Sequence, residues 1–91
     1  MIKVEQTSEG DPLEFEVIVS VGSGETRHHV TLARERLAMG THTPEHCIKA
    51  AFQFLVDREP KESILQRFDL AVISRYFPEF ERELPRYLSQ S

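Results

Sequence analysis

Leu13-Glu14-Phe15-Glu16-Val17-Ile18-Val19-Ser20-Val21, then Gly22-Ser23-Gly24-Glu25, then Thr26-Arg27-His28-His29-Val30-Thr31-Leu32-Ala33 is the stretch that decides the fold. On both sides of the glycines hydrophobicity alternates with a period of two. That pattern marks strands with one dry face and one wet one. Glycine tolerates the positive φ of a tight reversal, so the two runs read as an antiparallel hairpin, Leu13–Val21 with Thr26–Ala33. Setting Val21 against Thr26 puts Val19 opposite His28, Val17 opposite Val30 and Phe15 opposite Leu32. A slip of one residue would turn Val30 and Leu32 onto the acidic side.

A lone hairpin is not stable in water, so the Phe15/Val17/Val19/Val30/Leu32 face needs a cover. Thr43-Pro44-Glu45 supplies one. Threonine caps an exposed N–H, proline at the first helical position wastes no donor, and glutamate suits the positive helix end. The helix is expected over 44–58, with Ile48, Ala51, Phe52 and Leu55 at helical spacing, and Pro60 ends it. Further helical segments are expected over 60–68 and 70–88, with Asp69 capping and Pro78 either kinking one helix or separating two. The stripe Ile73, Tyr76 and Phe77 is expected to close the core from another side.

Upstream of the hairpin, residues 1–12 read as a partly flexible arm, with a turn-rich loop over 5–12; Ile2 and Val4 offer a short third strand. A short helical turn is expected over Ala33–Met39. The whole is one domain, 1–91: an α+β fold in the order ββααα, the hairpin packed on three to four helices.

The 91 residues carry a net charge of −4, and residues 1–25 hold six acidic groups against Lys3 alone. Duplex nucleic acid binding draws on clustered Lys and Arg, which this distribution disfavours. No apolar run approaches the ~20 residues of a bilayer span, and Met1–Glu5 lack the apolar core of a signal peptide. The single cysteine, Cys47, cannot form an internal disulfide, which fits a cytoplasmic setting.

The residues with chemistry to offer are few. His42, His46 and Cys47 lie within one short stretch, and zinc sites use imidazole and thiolate. Yet Cys47 sits about 100° round the helix from His46, so the trio is a weak metal candidate and Cys47 fits a small hydrophobe better. Adjacent helical residues do not face one another, which argues against a Cys47/His46 nucleophile pair. Glu14 and Glu16 fit a solvated strand face better than a two-carboxylate site. No catalytic or cofactor-binding residue is assigned. The aromatic residues outnumber the needs of short helices; the first reading is that they make the core, and the sharper alternative is that some, with Phe54, Phe80 and Tyr87 as candidates, form an exposed partner surface.

The stretches Thr43-Pro44-Glu45-His46-Cys47-Ile48-Lys49-Ala50-Ala51-Phe52, Arg58-Glu59-Pro60-Lys61-Glu62-Ser63-Ile64-Leu65 and Ile73-Ser74-Arg75-Tyr76-Phe77-Pro78-Glu79-Phe80-Glu81 resemble a family of short bacterial proteins of unknown function. The likeness spans most of the chain. It implies a whole small bacterial protein, not an enzyme fragment, and brings no functional residues with it.

The expectation is therefore a small cytoplasmic protein-interaction or regulatory protein without catalytic activity. Its partner is another protein, with a second copy of the chain as one way to cover exposed sheet edges. A nucleic-acid-associated or toxin-associated regulator is the alternative, and requires Arg27, Arg34, Arg36, Arg67, Arg75, Arg82 or Arg86 to converge. A small metal- or thiol-dependent enzyme is the second.

Overall fold

The computed structural model describes residues 1–33 and 42–89. The helical turn expected over 33–39 falls, from residue 34 on, outside them. The chain is α+β, with a four-stranded mixed sheet in the order β1-β2-β3-β4. Its strands are β1 (Ile2–Ser8), β2 (Leu13–Val19), β3 (Thr26–Leu32) and β4 (Arg67–Asp69). The helices are α1 (Pro44–Val56), α2 (Val72–Tyr76) and α3 (Phe80–Ser89).

The hairpin forms with the expected inward set, but its register is two residues looser. Val19 faces Thr26, Val17 faces His28, Phe15 faces Val30 and Leu13 faces Leu32. Parity is preserved, so the same side chains reach the core. The loop runs from Ser20 to Glu25, and Ser20 at its start pairs back to the first residue of the chain. Its N–H donates to the Met1 carbonyl at 2.7 Å, and its carbonyl accepts from the Met1 ammonium at 2.6 Å. Gly22 and Gly24, both at φ 75°, then bend the chain back.

That Met1–Ser20 pair belongs to a strand the sequence only hinted at. The stretch from Glu5 to Ser8, expected as loop, continues the strand begun at Ile2 and pairs antiparallel with β2. Cross-strand bonding to β2 overrides its polar composition, while Ile2 and Val4 pack against the core.

A second correction concerns residues 60–68. Only Lys61–Ser63 form a helical turn, of the 3-10 type, and Arg67–Asp69 extend as β4, parallel to β3. Parallel strands need a long crossover, and α1 is that crossover. The expected helix over 70–88 is two: α2 closes at Tyr76 and α3 opens at Phe80, with Pro78 between them.

α1 lies on the sheet as expected. Thr43 caps it, its Oγ1 accepting from the His46 N–H at 3.2 Å. Phe52 and Phe54 point in different directions, and both are fully buried because α1 is covered on both sides. The Phe52 ring meets His28 at 5.4 Å and Phe68 at 5.9 Å, on the sheet side. The Phe54 ring meets Phe77, Phe80 and Tyr87 at 5.7, 5.0 and 5.8 Å, on the side of the C-terminal helices. Fully burying a phenylalanine contributes about 2–3 kcal/mol. Two opposed aromatic contacts therefore fix α1 between the two layers.

Candidate binding groove

The chain between α1 and α2 makes several tight reversals, and each has a local cause. Beyond Val56 the helix tightens: the Arg58 and Glu59 N–H groups both reach the Leu55 carbonyl, at 3.0 and 2.9 Å. Pro60, at ψ 150°, turns the chain out of the helix. Buried His28 then holds the next segment to the sheet, with its Nδ1 2.7 Å from the Leu65 carbonyl and its Nε2 2.8 Å from the Thr26 hydroxyl. A carbonyl only accepts, so Nδ1 carries the proton and Nε2 accepts from Thr26. The His29 N–H donates to the Gln66 carbonyl at 2.7 Å and starts the parallel ladder. Asp69 ends it, accepting from Thr31 Oγ1 at 2.6 Å and the Ala71 N–H at 3.0 Å.

This route leaves a groove of about 370 Å³ between the C-terminal end of α1, the 3-10 turn, β4 and α2. Leu55, Ile64, Phe68, Val72, Ile73 and Phe77 line it, with Leu65 and Tyr76 among its walls and Glu59 and Ser63 as its polar members. Such a volume lies within the range of small-ligand and side-chain pockets. Leu65 is 47% exposed and Tyr76 is 67% exposed; among the described residues the other exposed large apolar side chains are Met1 and Val21, at the chain start and hairpin loop. Two exposed apolar side chains thus stand where the groove opens.

The electrostatics of the groove have one sign. Burial pushes the Glu59 carboxyl above its ordinary value, and among the described residues no basic side chain lines the groove. Among the described residues Glu59 has no ion-pair partner. The last turn of α1 holds no basic residue, and the Arg58 guanidinium just beyond it donates to the Phe54 carbonyl at 3.5 Å. Neighbouring cations are spent elsewhere: Arg58 on Glu79 at 3.2 Å, and Lys61 on the Ser23 carbonyl at 2.9 Å and Glu62 at 2.7 Å.

The residues singled out from the sequence lie elsewhere. Phe54, Phe80 and Tyr87 are not a partner surface, being 0%, 2% and 4% exposed. Instead they clamp α1 to α3. The Tyr87 hydroxyl donates to Asp57 Oδ2 at 2.6 Å and accepts from Arg58 at 3.2 Å, while the Arg58 guanidinium lies 3.7 Å from the Phe54 ring centre. Tyr76, expected in the core, is the exposed aromatic. It occupies the last turn of the short α2, whose inward position is taken by Ile73.

His42 and His46 do come together, with rings stacked at 4.8 Å. However, His46 Nε2 is 2.8 Å from the Leu88 carbonyl, so it carries a proton and donates. Cys47 is half-buried, and burial pushes its thiol up, away from the thiolate that a ligand or nucleophile requires. Among the described residues no three His, Cys, Asp or Glu side chains are placed to share an ion.

The open face of the sheet carries paired polar side chains: Glu16 forms an ion pair with Arg27 at 3.1 Å, and Glu14 shares a hydrogen bond with His29 at 2.9 Å. Two more polar grooves, of about 380 and 360 Å³, flank Arg27, and Arg67 lines one of them. Arg86 pairs with Glu83 at 3.0 Å. Arg34 and Arg36 lie outside the described residues. Among the described residues no helix is long and apolar enough to cross a membrane.

Residue order gave little warning of the groove. Its walls come from four short elements between Leu55 and Phe77, and no spacing rule links them; the one available signal was the apolar content of Ile64-Leu65 and Phe68 just after a proline break. Comparison with protein-family models finds no matching family, and comparison with curated proteins and with solved structures finds no match either.

Proposed function

We propose that the protein is a small cytoplasmic interaction or regulatory protein without catalytic activity, whose groove receives an apolar side chain of a partner protein with a lysine or arginine beside it. The observation that supports this reading is the combination of apolar walls with a carboxylate, Glu59, that has no ion-pair partner among the described residues. An apolar side chain entering the groove would leave water, at about 25 cal/mol per Å² buried. A neighbouring cation would meet Glu59 in a partly desolvated site, where a charge pair is worth more than in water.

The nucleic-acid-associated and toxin-associated reading draws less support, since Arg27 and Arg86 are already paired with carboxylates. The thiol-enzyme reading draws least, because burial disfavours the Cys47 thiolate.

The test is fluorescence anisotropy with labelled peptides carrying a central Leu-Lys, Leu-Glu or Ser-Lys pair. The Leu-Lys peptide is expected to bind best, by about tenfold over each of the others. Leu65→Ser with Tyr76→Ser should weaken it by a similar factor, and Glu59→Gln should remove the preference for Lys over Glu. Equal binding of all three peptides, or binding indifferent to these substitutions, contradicts the reading.

A further inference from the structure

β1 forms one edge of the sheet, and its pairing with β2 shows which of its backbone groups are already used. Met1 and Ser20 exchange two hydrogen bonds, at 2.6 and 2.7 Å. In an antiparallel ladder such doubly bonded pairs alternate with unbonded ones. Following the register from there, Lys3 and Glu5 turn their N–H and C=O toward β2, while Ile2 and Val4 turn theirs outward. Gln6 keeps that parity up to the register shift between Gln6 and Ser8. An outward row of this kind is a template for another strand.

We propose that two copies of the chain pair antiparallel through β1, about a two-fold axis at Val4, into one continuous sheet. The proposal is independent of the groove. Bonding parity allows only registers that set even-numbered residues against even-numbered ones. Placing Ile2 against Val4 of the partner subunit would set Lys3 against Lys3 of the partner subunit. Placing Val4 against Gln6 of the partner subunit would set Glu5 against Glu5 of the partner subunit. With Val4 against Val4 of the partner subunit, Lys3 faces Glu5 of the partner subunit twice over, and Ile2 faces Gln6 of the partner subunit. Like charges directly opposite destabilise a strand pair and opposite charges stabilise it. Charge thus selects the Val4-centred register.

Lys3 and Glu5 are both exposed, and among the described residues neither has an ion-pair partner. Glu5 stands opposite Glu16 within its own sheet, so the second copy brings the cation it lacks. Ile2 and Val4, half-buried and packed against the core, gain further cover from the second copy. A strand-edge contact falls below the ~1,200 Å² of standard interfaces, so association is weak and concentration-dependent.

Sedimentation equilibrium of the full chain, carried to about 1 mM, tests this with charge reversals. Lys3→Glu alone and Glu5→Lys alone should each weaken dimerisation by about tenfold. The double variant should recover it, and so should an equimolar mixture of the two single variants, because Glu-Glu and Lys-Lys edges complement each other. Recovery in the mixture also shows that both variants fold. A wild-type chain that stays monomeric throughout, a dimer indifferent to either reversal, or a mixture that fails to recover overturns the proposal.

Discussion

The imidazole of His28 donates to the carbonyl of Leu65 at 2.7 Å, joining residues 37 positions apart. It is the bond that holds the groove's near wall against the sheet. His28 is 2% exposed and its second nitrogen is satisfied by Thr26, so the ring is a buried polar strut. Replacing it by alanine removes both bonds and leaves a cavity beneath Phe52, and should cost about 2–4 kcal/mol in urea unfolding. A loss below about 0.5 kcal/mol, the size of an ordinary surface change, would show that the strut is dispensable.

Tyr87 closes α3 onto α1 through its hydroxyl, which bridges Asp57 and Arg58. Tyr87→Phe keeps the ring contact with Phe54 and removes only the bridge. The expected loss is about 1–2 kcal/mol, read as a lower midpoint with an unchanged denaturant slope.

Glu59 gives a pH signature with a definite sign. Burial raises its folded-state value above the ordinary 4.5, so the charged carboxylate destabilises the fold relative to the unfolded chain. In the window between 4.5 and the raised value the folded state binds more protons, and stability falls as pH rises. Glu59→Gln should therefore be the more stable protein at neutral pH. The gap should close as pH falls through that window, when thermal melts of the two are compared. A gap that widens on acidification would contradict this assignment. Binding of a cationic partner should run the other way and strengthen as Glu59 ionises.

Cys47 should be a sluggish thiol. Burial disfavours its thiolate, so a disulfide-exchange reagent at neutral pH should label it more slowly in the native chain than in guanidinium. Native labelling faster than that of free glutathione would restore the thiol-enzyme reading.

What the sequence disclosed follows from range. Alternation over 13–19 and 26–32 is a local signal, and it identified Phe15, Val17, Val19, Val30 and Leu32 as inward. Thr43-Pro44-Glu45 likewise marked the true start of α1. The hairpin register is less legible, because a shift of two residues keeps every side chain on the same face and the alternation does not distinguish the two pairings. Arg67-Phe68-Asp69 offers one apolar residue, too short a run to display a strand's period, and becomes a strand only because β3 lies beside it. Range also governs the aromatics. Nothing near Tyr87 in the chain announces that its hydroxyl will meet Asp57 and Arg58, 30 and 29 positions away, while α2 is too short to bury Tyr76 along with Ile73.

The groove reading meets its most direct test in a heteronuclear NMR titration of the ¹⁵N-labelled chain with the Leu-Lys peptide. Backbone shifts should concentrate at Leu55, Glu59, Ile64, Leu65, Phe68 and Tyr76. Shifts centred instead on the charged sheet face around Glu16, Arg27 and His29, with the groove amides unmoved, would contradict it.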